Sequence, residues 1–299
     1  MHRLRRGIGT PSSRIAVLAL ALLFGLASVT IAPAAHARNP RLVAAGDIAY
    51  RLRPSRGQLG TTRLIERLDP VAVLALGDTQ YRSGTIAEYL RSYDPTWGRF
   101  LSKTFPVPGN HEYNTPRAAG FFRYFGPRTF GGRGYYSFNR GGWHLVALDS
   151  VRGRRPDERQ LRWLRRDLVG NDATCELAFF HHPLFTSGLG APASPDMAVF
   201  WRILFRHGVD VVLNGHAHSY ERFVKLTPGG KRSPRGIREI VVGTGGIGVD
   251  QFGDPIRGSQ VRIRRFGVLS MQLLRDAYRW RFVATDGRSL DRGSTGCRR

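Results

Sequence analysis

"LALGDTQYRSG", residues 74–84, decides how this chain is read. An apolar run enters Gly77-Asp78, and Tyr81 follows three positions later. Extended back to Val71, "VAVLALGD" is continuous rather than alternating, as in a strand covered on both faces. The same design recurs along the chain. "RLVAAGDIA" reads as a short buried strand running into Asp47, and "TFPVPGNHE" as one running into Asn110 and His111. "CELAFFHHP" leads to His181 and His182, and "VDVVLNGHAH" to His216 and His218. Between these lie segments of helical spacing. "GQLGTTRLIERLDP" stops at a proline, "PDERQLRWLRRDLVG" starts at a proline and ends at a glycine, and "PDMAVFWRILFRHG" ends at a glycine. "TIAEYLRSYDPTWGRFL" is helix-like until Pro95 breaks it. "GYYSFNRGGWHLVALD" alternates around Asn-Arg-Gly-Gly and predicts a hairpin. "REIVVGTGG", "RFGVLSMQLLR" and "YRWRFVATDG" are strand-like.

A β–α–β–α opening followed by antiparallel strands predicts an α/β (α+β sandwich) fold: two mixed β-sheets packed face to face, flanked by helices. The polar residues sit just past strand C-termini. In open α/β sheets that edge is where ligands bind.

The chain has 299 residues, 41% of them hydrophobic, enough for one large core or two modest ones. Residues 1–37 read as a secretory signal peptide: Arg3, Arg5, Arg6 and Arg14, then "IAVLALALLFGLASVTIA", then "AHA" at 35–37. The alternative is an uncleaved anchor, since the apolar run nearly reaches spanning length. Cleavage would leave residues 38–299 as a single catalytic domain, secreted or cell-wall associated, with no mature transmembrane segment. Arg5-Arg6 fits a twin-arginine signal poorly.

Net charge is +24, and removing four leader arginines, with no acids among residues 1–37, leaves +20. Lys103, Lys225 and Lys231 are the only lysines, and such an arginine skew with abundant Ala and Gly fits a GC-rich coding bias. The excess also permits contact with an anionic polymer. No arginine run interleaves with aromatics, so no specific nucleic-acid motif is present. Cys175 and Cys297 are expected to pair in an exported protein, two free thiols being the alternative. A bridge would pin the tail beside the strand that starts at Cys175. CxxC spacing is absent, which argues against cysteine-bound zinc.

The chemistry lies in "GDIA" (46–49), "GDTQY" (77–81), "GNHE" (109–112), "FHHP" (180–183) and "GHAH" (215–218). A Gly-Asp after a strand is by itself usually a turn, and one histidine there is usually solvated or packed. Together, in this order and each at the end of an apolar run, they point to one site. His216 and His218, two apart in an extended segment, project to the same side. Carboxylate, imidazole, amide oxygen and phenolate are all ligands of first-row metals. Two ions about 4 Å apart clamp a phosphate and activate water, and a carboxylate between them offsets their repulsion.

This order of motifs resembles the calcineurin-like metallophosphoesterases, over about residues 42–245. Most members carry D-x-H in the first motif, but here position 49 is alanine. Tyr81, three residues after Asp78, matches the tyrosine of the purple acid phosphatase branch. "QLRWLRRDL" after "LDS", and "VVGTGG", are further likenesses.

The resemblance implies that Asp47, Tyr81 and His218 bind the first metal, Fe(III), and that Asn110, His181 and His216 bind the second, Fe, Zn or Mn. Asp78 would bridge them. Asn110 and His111 would contact substrate, with His111 catalytic, and His182 would pack or hydrogen-bond rather than ligate. The implied activity is hydrolysis of a small phosphorylated substrate, a phosphate monoester, by attack of a metal-bound hydroxide.

Two departures matter. From Leu184 to Arg206 there is no histidine of the kind many members use to contact the phosphate. The β-sandwich that precedes the catalytic domain in plant-type members is expected to be absent. A phosphodiesterase or nucleotidase on the same scaffold is the alternative, with the 184–197 loop and the 225–236 basic turn as candidates for setting preference. A secreted polyanion-binding protein with a vestigial site would show degenerate ligands, and none is degenerate.

Overall fold

A computed structural model describes residues 39–50, 52–151 and 157–298. In chain order it begins with β1 (Arg41–Ala45), α1 (Arg56–Leu68), β2 (Ala72–Leu76), a short α2 (Ile86–Glu88) continuing as a π-turn, and β3 (Thr104–Val107). There follow α3 (Ala119–Phe125), β4 (Tyr136–Arg140), β5 (Trp143–Ala147), α4 (Glu158–Val169), β6 (Cys175–Phe179), α5 (Ala198–His207) and β7 (Val211–Asn214). The chain closes with β8 (Tyr220–Leu226), β9 (Ile237–Val242), β10 (Ser259–Ile263), β11 (Gly267–Leu273), β12 (Ala277–Ala284) and β13 (Ser289–Gly296).

The strands form two sheets, in the orders β13-β12-β11-β1-β2-β3 and β10-β8-β9-β7-β6-β5-β4. Both are mixed, as the sequence predicts. β1, β2 and β3 run parallel while β11 pairs antiparallel to β1. In the second sheet β5, β6, β7 and β9 run parallel, and β4 and β8 are antiparallel to their neighbours. One apolar cluster joins the sheets, with Leu74 and Phe282 from the first and Leu177 and Ile240 from the second. Another seals the outer face of the second sheet with Leu164 of α4 and Phe200, Trp201 and Leu204 of α5. Each such side chain contributes roughly 2 kcal/mol by leaving water.

Local signals act where expected. Ser55 caps α1 in a capping box with Gln58, and Asp69 ends it in the left-handed region before Pro70. The β4–β5 hairpin turns at Gly141 and Gly142, both at positive φ (60° and 82°). α4 starts from Asp157 as N-cap, so the expected Pro156 start lies outside the described residues.

Three strands have no counterpart in the sequence reading: β8, β10 and β13. β10 and β13 lie at sheet edges, and β13 reads "SLDRGSTG", mostly polar. Backbone pairing to β12 and β8, rather than an apolar face, makes them strands.

Cys175 and Cys297 are disulfide-bonded across a sequence separation of 122, which fastens the tail beyond β13 to the head of β6. Among the described residues no helix is long and apolar enough to cross a membrane. The leader, with its expected signal peptide, lies outside them.

Candidate metal centre

The parallel strands aim their C-terminal ends at one point. Past β1 comes Asp47, past β2 Asp78 and Tyr81, past β3 Asn110 and His111, past β6 His181, and past β7 His216 and His218. Asp47, Asp78 and His216 sit at positive φ (58°, 45° and 69°), unusual for residues with a Cβ. Such strain persists where the surroundings over-determine it, and it gathers at functional sites. Glycines make the approach possible. Gly77 is at φ 82°, and a Cβ there would meet His181 Nδ1 at 2.6 Å; a Cβ on Gly109 would collide with the Asp78 carboxylate.

All the side chains expected at the site converge. The Tyr81 hydroxyl lies 2.8 Å from both Asp47 Oδ1 and Asp78 Oδ2, with one proton to share between them, and 3.0 Å from His218 Nε2. His218 Nε2 is 3.4 Å from Asp47 Oδ1. On the other side His181 Nε2 lies 3.1 Å from Asn110 Oδ1 and 3.3 Å from both Asp78 Oδ2 and His216 Nδ1. Asp78 Oδ2 therefore faces both groups. Asp47, Asp78 and His181 are fully buried, and their ligand atoms lie within 4.8 Å of one another.

Backbone contacts orient these donors. His181 Nδ1 donates to the Leu76 carbonyl at 2.9 Å, which leaves Nε2 to present its lone pair inward. Asp47 Oδ2 accepts from His216 N at 2.9 Å, and Asp78 Oδ1 from His111 N at 2.8 Å. His111 Nδ1 donates to the Arg82 carbonyl at 2.7 Å, so its Nε2 is the free nitrogen, 3.9 Å from Asp78 Oδ2.

The electrostatics fit a cation-binding cluster. Burial alone would raise Asp78, but the charge of and hydrogen bond to His181 hold it well below the ordinary carboxylate value. Burial opposes charge on His181 too, yet Asp78 and Asp47 lift it to about 9. Buried carboxylates that recruit a proton onto an inward-facing imidazole offer the same place to a metal ion. Burial, with neighbouring His181, lowers His216 to about 3, which keeps that imidazole neutral as a ligand must be.

His182 stands closer to the cluster than its expected role implies. Its ligand atom lies within 4.8 Å of those of His181 and His216. Its Nδ1 is 3.0 Å from Ser150 Oγ, which also accepts from its backbone N–H. The hydrogen bonding expected of His182 is present. A cavity of about 310 Å³ opens beside it, lined also by Asn110, Ser194 and Asp196. Part of the 184–197 loop thus borders the site, whereas the 225–236 turn is not in this lining.

Sequence reading passed over two supports. Glu112, fully buried, accepts from the backbone of Asp78 (2.9 Å), Gly109 (2.6 Å) and Gln80 (3.1 Å), and so binds the Asp78 and Asn110 loops into one unit. Asp250 accepts from His218 N at 3.1 Å and stands 3.8 Å from its Nδ1. Glu112 was visible as the last letter of "GNHE". Asp250 lies in a loop with no pattern.

A two-sheet sandwich with this donor cluster on its strand ends defines a metallophosphoesterase scaffold. The sequence profile of the calcineurin-like phosphoesterases matches residues 40–220, and the chain belongs to that family. It is 30% identical to purple acid phosphatase 15 of Arabidopsis thaliana over 67% of this chain and 46% of that one. It is 31% identical to a probable cyclic nucleotide phosphodiesterase of Synechococcus over 52% of this chain and 60% of that one. The fold superposes on purple acid phosphatase PPD1 of yellow lupin with a TM-score of 0.68 at 19% identity, covering 86% of this chain and 54% of that one. The chain spans about half the length of the plant relatives it matches.

Proposed function

We propose that this chain is an exported dinuclear-metal phosphatase acting on phosphate monoesters. The observation that carries the reading is the position of Asp78 Oδ2, between Tyr81 and His181, from which one carboxylate would serve two ions. Asp47, Tyr81 and His218 would hold the first ion, expected to be Fe(III). Asn110, His181 and His216 would hold the second, expected to be Fe, Zn or Mn. When bound, such ions supply Lewis acidity toward phosphate oxygens and lower the pKa of water.

The protein's own groups do the rest. Asn110 and the free Nε2 of His111 would hold the phosphate, and His111 would pass a proton to the leaving alkoxide. The disulfide supports export, because such bridges persist in oxidising compartments. A phosphodiesterase reading has its own support in the Synechococcus relative.

The test is purified mature protein assayed for metal content, visible spectrum and turnover. Two ions per chain, a mid-visible absorption band and faster hydrolysis of nitrophenyl phosphate than of the bis-nitrophenyl ester are expected. Faster diester hydrolysis would establish the second reading. Iron bound without a visible band would remove Tyr81 from the ligands.

A further inference from the structure

The outer face of the first sheet carries an arginine groove far in sequence from the site motifs. β12 alternates: Tyr278, Trp280 and Phe282 point into the core, so Arg279 and Arg281 point out. The register sets Arg281 opposite Arg292 of β13 and Ser270 of β11, and Arg279 opposite Ser294 and Gln272. Arg41 of β1 pairs with Gln272 and extends the second row. These residues line a cavity of about 590 Å³. No carboxylate lines it, and its one large apolar side chain, Trp280, is only 4% exposed.

Arg279, Arg281 and Arg292 are exposed and form no ion pair among the described residues. Arg41 spends one Nη1 on the Leu68 carbonyl. Like charges directly across a strand pair destabilise a sheet, and Arg281 faces Arg292. A bound anion would relieve that repulsion.

We infer that this groove binds an extended phosphate-bearing polyanion, independently of the catalytic reading. The backbone positions of these arginines, about 5 Å apart across strands and about 7 Å apart along β12, present a grid of guanidinium groups to successive phosphates. A floor of arginine, serine and glutamine side chains over one nearly buried tryptophan suits a charged chain laid across it better than a bilayer. Recognition would be through charge and bidentate hydrogen bonds, hence strongly dependent on salt.

The experiment titrates the whole mature protein with fluorescently labelled inorganic polyphosphate, by anisotropy, across a salt series. The triple variant Arg279→Gln, Arg281→Gln, Arg292→Gln is compared with a matched control, Arg159→Gln, Arg162→Gln, Arg165→Gln on α4. The groove variant should lose roughly 10–100-fold in affinity at low salt, and the slope of log K against log salt should shrink by about 2. The control should lose little. Both should keep wild-type turnover of nitrophenyl phosphate, which separates this inference from the phosphatase reading, and the groove variant, freed of the Arg281–Arg292 repulsion, should melt no lower than wild type. Equal losses in both variants, or none in the groove variant, would overturn it. So would binding to phosphatidylglycerol vesicles with none to polyphosphate.

Discussion

At the scale of single residues, the site is held by hydrogen bonds that leave particular atoms free. His111 spends Nδ1 on the Arg82 carbonyl and keeps Nε2 toward Asp78. It lies at the rim of the cluster with its side chain 28% exposed, so its removal should spare the metal donors. His111→Ala is expected to retain both ions and lose roughly 10²–10⁴ in kcat if it protonates the leaving group. The loss should be larger for an alkyl phosphate than for a nitrophenyl ester, and equal losses would remove the proton-donor role. Glu112 acts differently, because it touches no donor atom of the cluster through its own carboxylate. Burial, with Asp78 nearby, raises it to about 8, while backbone donors from Gly109 and Gln80 pull it down. Glu112→Gln would turn an NH₂ toward those backbone donors. It should cost about 2–4 kcal/mol of stability, read as a lower urea midpoint, and weaken metal binding at the cluster.

At the scale of elements, strand ends position the chemistry and loops are fastened from behind. The stretch after "FHHP" shows how. Leu184 and Phe185 donate their N–H groups to buried Glu239, and Ser187 donates its own to buried Glu221. Two acids inside the protein thereby fix a loop that leads to the cavity beside Asn110. β13 is secured covalently. Its polar sequence gives it little apolar burial, and the Cys175–Cys297 bridge closes 122 residues of chain. Cys297→Ser should lower unfolding stability by about 5 kcal/mol on the loop-entropy estimate. The measurement is a denaturant midpoint with and without reductant, and the variant's midpoint should no longer respond to reductant.

At the scale of the whole molecule, two buried acids away from the site favour the folded state in acid. Burial pushes Glu176 up to about 7, against the hydrogen bond from Asn171, and leaves its Oε2 without a partner. Burial likewise raises Asp210 to about 6, against backbone donors from Arg298 and Glu176. A carboxyl whose folded pKa exceeds its unfolded value takes up protons on folding. Its stabilising effect is therefore complete below the ordinary carboxylate range and is lost as pH rises through 6 to 7. The contribution of these two acids to the unfolding free energy should fall by roughly 1–3 kcal/mol between about pH 5 and pH 8. Glu176→Gln should flatten that profile, and an unchanged slope would exclude Glu176 as its source.

The sequence by itself determined the strand-end motifs, the buried strands that carry them, the helices between and the two-layer plan. Continuous apolar runs and punctuating Gly, Pro and Asp act locally, so a linear reading finds them. It identified Asp47, Asp78, Tyr81, Asn110, His111, His181, His216 and His218 as one set, and all of them meet. Tertiary structure alone decided which atoms face which neighbour. It also decided that Glu112 and Asp250 stand behind the site, and that β8, β10 and β13 are strands. Those outcomes depend on partners distant in the chain: a carboxylate's role is set by the backbone N–H groups brought to it, and an edge strand by the backbone it pairs with. The arginine groove has the same origin, since only the register of β11, β12 and β13 places Arg281 against Arg292.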